Sequence, residues 1–126
     1  MKLRITQKVV HCCRYHIIWC TRQQKSVLID DVNIKLKEWI HIICREQAVQ
    51  ILFLRTNTYM VEMLLDVPPQ YGVHKVVKRL KKETAHHLRD EFPWLKSRLP
   101  SLWTNSYLVN TVGSKEYAFA RRIRTE

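Results

Sequence analysis

A chain of 126 residues with a 46% hydrophobic share is a single globular domain, long enough to bury a core without disulfides or a structural metal. A net charge of +11 repels itself in the compact state and points to a polyanionic partner, with nucleic acid first and an anionic membrane surface second. No apolar run approaches the roughly 18 to 20 residues of a membrane span, and Met1-Lys2-Leu3-Arg4 has no long apolar core behind it. The expectation is a cytoplasmic protein with no membrane partner.

His11 to Cys20 is rich in aromatic and β-branched residues and reads as a strand. Thr21 to Ser26 is a polar, basic loop. Asp30 and Asp31 are placed to cap a helix in which Val32, Leu36, Trp39, Ile40, Ile43 and Cys44 recur at helical spacing, ending near Gln47. Val49 to Asn57 reads as a second strand with Ile51 and Phe53 on one face. Tyr59 to Val67 reads as a third, and the short Asn57-Thr58 turn makes the two an antiparallel hairpin. Pro68-Pro69 stops the third strand.

A second helix runs from about Val73 to Arg89, burying Val73, Val76, Val77, Leu80, Thr84 and Leu88. Phe92-Pro93-Trp94 and Leu99-Pro100 mark an irregular connection with a helical turn. Trp103 to Val112 reads as a fourth strand, broken by Gly113, and Ser114 caps a last helix carrying Tyr117, Phe119 and Ile123. The order is that of an α+β ferredoxin-like βαββαβ sandwich, with an antiparallel sheet, helices on one face, and an extra C-terminal helix.

Cys12, Cys13, Cys20 and Cys44 form no C-x-x-C pair and read as reduced thiols rather than a zinc site. Alternation puts Met60, Glu62, Leu64 and Asp66 on one face of the third strand. Lys75, Lys78, Arg79, Lys81, Lys82 and Arg89 cover much of the exposed side of the second helix, with His86 close by. Arg14, Arg22, Lys25, Arg121, Arg122 and Arg124 would widen a DNA-binding surface. His86 and His87 diverge by about 100°, so one faces inward and one outward. His16 is an aromatic-flanked strand residue, a minor candidate for touching the site region or DNA. Tyr107 reads as a core or sheet-face residue, and Trp94 and Trp103 as core more readily than as base-stacking platforms.

Several segments together resemble the single-tyrosine HUH transposases of small bacterial and archaeal insertion sequences. They are Tyr15-His16-Ile17-Ile18-Trp19-Cys20, Val77-Lys78-Arg79-Leu80-Lys81, Phe92-Pro93-Trp94-Leu95-Lys96, Leu102-Trp103-Thr104-Asn105-Ser106-Tyr107 and Thr111-Val112-Gly113. The resemblance runs from about residue 11 to 126 and rests on their order and spacing rather than on any one of them. It implies a homodimer that recognises single-stranded or hairpin DNA ends. It also implies a histidine pair on the third strand holding Mg or Mn, a C-terminal tyrosine nucleophile, and a glutamine one turn further on.

Residue by residue, the histidine positions fall on Met60 and Glu62, the nucleophile position on Ile123, and the glutamine position just past Glu126. A methionine thioether is a poor ligand for a hard cation. Asp66 lies roughly 13 Å from Glu62 by strand rise, too far to chelate with it. Tyr117 precedes Ile123 by six residues and is rotated about 240° from it on a helix. The expectation is a transposase-like DNA-binding protein with no catalytic residues, no bound metal and a solvated Glu62. The alternatives are an active strand transferase with a rearranged metal site, and a dimeric interaction protein that has lost DNA binding.

Overall fold

In the computed structural model, residues 13–112 are described in full, and residues 4–6 and 9–11 as backbone strands. The elements are β1 (Arg4–Thr6), β2 (Val9–His11), β3 (Arg14–Cys20), α1 (Asp30–Glu46), β4 (Gln50–Thr56), β5 (Met60–Asp66), α2 (Val73–Glu91), α3 (Trp94–Arg98) and β6 (Leu108–Thr111). β1 and β2 pair with each other, a small hairpin the sequence reading missed. The expected opening strand begins at Arg14 rather than His11.

The main sheet has the order β4-β5-β3-β6, all antiparallel. This is the expected α+β ferredoxin-like arrangement. The helix-facing side carries Ile17 and Trp19 from β3 and Val61, Met63 and Leu65 from β5, all essentially inaccessible. Against them lie Val32, Leu36, Ile40, Ile43 and Cys44 from α1 and Val76, Val77, Leu80 and Leu88 from α2. The apolar periodicity of each helix therefore matches the face it buries.

Helix α1 begins at Asp30, which sits with its neighbour Asp31 in the first turn, where a carboxylate suits the helix dipole. Neither supplies a side-chain cap, contrary to expectation; the cap position is Ile29. Its C-terminus is closed by two backbone bonds, Val49 N to Cys44 O (2.9 Å) and Ala48 N to Arg45 O (3.2 Å). That pattern requires a left-handed residue at Ala48, whose φ is 55°.

Two strand expectations need correction. Ile51 and Phe53 do not share a face: a bulge between them pairs Ile51 with Leu65 and Phe53 with Leu64, which lie on opposite faces of β5. The fourth strand is not continuous from Trp103. Trp103 makes one bridge to Thr21, the chain swings out over 104–107, and regular pairing with β3 resumes at Leu108. The expected C-terminal helix lies outside the described residues. Among those described, no helix is long and apolar enough to cross a membrane.

Candidate functional site

The side of the sheet turned away from α1 and α2 carries the residues singled out on β5. Strand pairing sets Glu62 between Ile18 of β3 and Arg55 of β4. His16 lies two residues along β3, opposite Leu64, a diagonal position within reach of a long side chain. His16 Nε2 and Glu62 Oε2 are 2.7 Å apart, and Arg55 Nη2 donates to Glu62 Oε1. Both carboxylate oxygens are thus engaged, by two neighbouring strands.

Glu62 is only 8% exposed, so the expected solvated carboxylate is instead a buried one. Burying a charge is tolerable when it is paired and hydrogen-bonded. Arg55 supplies the charge, and its side chain remains 60% exposed. Leu64, Asp66 and Phe53 on the same face are also buried, so this side of the sheet is not a bare solvent face.

These residues do not fit a hard divalent cation. Met60 offers a soft thioether. The oxygens of Glu62 are taken by His16 and Arg55, and Asp66 is ion-paired with Arg14 at 3.5 Å. Among the described residues no cluster of three or more His, Cys, Asp or Glu is placed to hold a metal.

The basic residues separate into groups that charge counting had merged. Arg14 is not a DNA contact: it sits opposite Asp66 in the register, and its side chain is 2% exposed. Arg79 bridges helices, donating to Glu83 on its own helix and to Glu46 on α1. The Glu83 hydrogen bond is the main reason its pKa rises further. Lys81 donates to the carbonyls of Thr104 (2.6 Å) and Ser106 (3.3 Å), and burial lowers its pKa. Arg89 donates to Pro100 O and Arg22 to Ser101 Oγ.

Lys75, Lys78 and Lys82 remain exposed at i, i+3 and i+7 on α2, one continuous stripe. Lys25 is exposed too. Arg121, Arg122, Ile123, Arg124 and Tyr117 lie outside the described residues.

Several further expectations meet the structure here. His16 does reach the site. His87 stacks on Trp39 at 3.7 Å between ring centroids, while His86 is exposed. Trp103 is core, its indole N–H donating to Thr84 Oγ1 at 3.1 Å. Tyr107 is half-buried, its hydroxyl 3.0 Å from His74 Nδ1. The described cysteines are free thiols, and burial pushes Cys44 up to about 12. Arg55 was missed: the expected turn at Asn57-Thr58 would set it opposite Met60, whereas the hairpin turns on Thr58-Tyr59, with Asn57 N donating to Met60 O at 3.0 Å, and sets it opposite Glu62.

Architecture and strand register together define a ferredoxin-like domain, with its helices on one side of the sheet and the Glu62 pairs on the other. The chain belongs to the IS200-like transposase family, whose model matches residues 9–123. It is 30% identical over 111 residues to the ISDra2 transposase TnpA of Deinococcus radiodurans, covering 86% of this chain and 79% of that one. The transposase of insertion sequence IS200 from Salmonella typhimurium is 25% identical over 103 residues, covering 80% and 68%.

Among solved structures, a crystal structure described as a Deinococcus radiodurans transposase superposes with a TM-score of 0.80 at 29% identity, covering 97% of this chain and 95% of that one. A REP-associated tyrosine transposase bound to a REP hairpin gives 0.68 at 13% identity, covering 95% and 68%, a likeness of fold.

Proposed function

We propose that this chain binds hairpin or single-stranded insertion-sequence DNA as a homodimer and does not cut it. The observation that carries the second half is the engagement of both Glu62 oxygens by His16 and Arg55, with Met60 beside them. Metal-assisted phosphoryl transfer needs a cation free to polarise a phosphate oxygen. Here the positive charge next to the carboxylate is a guanidinium belonging to the chain. It has no open coordination position and cannot lower the pKa of a bound water as a metal does.

DNA binding is supported by membership of the family, by the net charge of +11 and by the exposed Lys75, Lys78 and Lys82 stripe. Phosphate contacts from such a stripe hold a strand without reading its sequence. The hairpin carried by the structural relative makes hairpin DNA the substrate to try first. Dimerisation is inferred from the resemblance alone.

The test is incubation of hairpin-bearing single-stranded DNA with the protein and manganese. The expected outcome is a salt-sensitive complex with no covalent protein–DNA product. A covalent adduct overturns the inactive reading. An affinity indifferent to salt overturns the DNA-binding reading and leaves an interaction protein, because counterion release obliges phosphate binding to weaken as salt rises.

A further inference from the structure

The excursion of the chain between Trp103 and Leu108 opens a cavity. Ile18 pairs with Leu108 and Thr21 bridges Trp103, so four residues (104–107) span what two (19–20) span on β3. The surplus bows outward and leaves a cavity of about 730 Å³, lined among others by Trp19, Gln23, Gln24, Thr104, Ser106 and Tyr107. This volume falls within the range of small-ligand sites.

The bowed segment is fastened at several points. Lys81 donates to the carbonyls of Thr104 and Ser106, and Ser106 N donates to Thr104 Oγ1 at 3.2 Å. Thr104 N donates to Cys20 O at 3.1 Å, and Lys81 Nζ lies 5.2 Å from the centre of the Tyr107 ring. The cavity is therefore set before any ligand arrives, which spares a ligand the entropy of ordering the loop.

One further observation points to a ligand. Gln23 and Gln24 both hold φ of 54°, a left-handed conformation that is strained for a side-chain-bearing residue and found at binding sites. The two amides bring donors and acceptors together, and Ile18 and the half-exposed Leu108 supply apolar surface.

Apolar walls with a hydrogen-bonding edge suit a planar heteroaromatic ring. His74 and Lys81, the α2 residues that touch Tyr107, lie one turn either side of Lys78. The rim thus adjoins the basic stripe.

We propose that this cavity receives one unpaired nucleobase of a single-stranded segment, with its phosphates on the adjacent lysines and Gln23 and Gln24 reading its edge. This rests on the DNA-binding reading above and adds a base-accepting site to it. The cavity lies along β3 and β6 and adjoins the Glu62 pairs, since Ile18 in its lining is the register partner of Glu62.

The experiment compares two labelled oligonucleotides, a hairpin alone and the same hairpin with a short single-stranded flank, against wild type and a Gln23→Gly/Gln24→Gly variant. Glycine removes both amides and accepts the left-handed conformation freely, so the variant is not strained at that turn. The flank is expected to tighten binding to wild type about tenfold, the scale of one well-paired base edge. The variant should lose that gain while keeping hairpin affinity. A flank carrying 5-iodouracil should cross-link to a peptide containing Tyr107. Hairpin binding without any gain from the flank, a gain that survives in the variant, or cross-links confined elsewhere overturns the base site and leaves the DNA-binding reading standing. Failure of both oligonucleotides to bind overturns both.

Discussion

Glu62 shows how one side chain decides what a strand can hold. Two histidines on this strand would leave imidazole nitrogens for a cation from solution, whereas a carboxylate recruits a cation from the chain. Arg55 is directly across the β4–β5 pair and His16 is on the other side, so the recruitment needs no backbone movement. The neighbouring Arg14–Asp66 pair is a deeper case, with both side chains almost inaccessible. Removing one member of such a pair strands the other, a larger loss than the pair's net worth. Asp66→Ala is therefore expected to cost about 3 kcal/mol in urea denaturation. Arg55→Ala, at an exposed position, is expected to cost about 1 kcal/mol or less. Alternation along β5 correctly placed Glu62 and Asp66 on one face. It could not report their burial, because a period of two gives a side chain's direction and says nothing of what covers it.

At the scale of elements, the helices were legible and the strand ends were not. Stripes such as Val32, Leu36, Ile40 and Ile43 repeat over many turns, so one misleading residue does little harm. A strand offers fewer repeats. One added residue, as in the bulge at 51–53, turns Phe53 from the face of Ile51 to the opposite face. The C-terminus of α1 is a further detail that periodicity does not carry: its capping bonds demand a left-handed Ala48 where glycine is usual. Ala48→Gly is expected to stabilise the fold by about 1 kcal/mol, read as a higher urea midpoint with unchanged slope. The stripe on α2 makes a separate prediction. Replacing Lys75, Lys78 and Lys82 together by alanine should flatten the logarithmic salt dependence of DNA binding by about two to three units. Arg79→Ala should change it less, since that guanidinium already serves Glu46 and Glu83.

Over the whole molecule, the composition announced a polyanion partner, and the fold explains how so basic a chain stays compact. Arg14, Arg55 and Arg79 are tied to carboxylates, and Lys81 to backbone carbonyls, while Lys75, Lys78 and Lys82 stay exposed. The titrating core adds an alkaline limit. Burial raises the Cys44 thiol from 9.0 to about 12, so between these values the unfolded chain gives up a proton that the folded chain keeps. Folding stability is unaffected below pH 9 and falls as pH rises through this window, by up to about 1.4 kcal/mol per pH unit. Tyr15 acts in the same direction, its pKa raised by burial and then by Cys13. Lys81 opposes them: its lowered pKa means the folded chain sheds a proton first, which favours folding as pH climbs toward 10.5. Urea midpoints measured from pH 8 to 11 should therefore decline for wild type and decline less for Cys44→Ala relative to its own value at pH 8. Equal slopes for the two proteins would place the alkaline loss elsewhere than in the packing of α1 against the sheet.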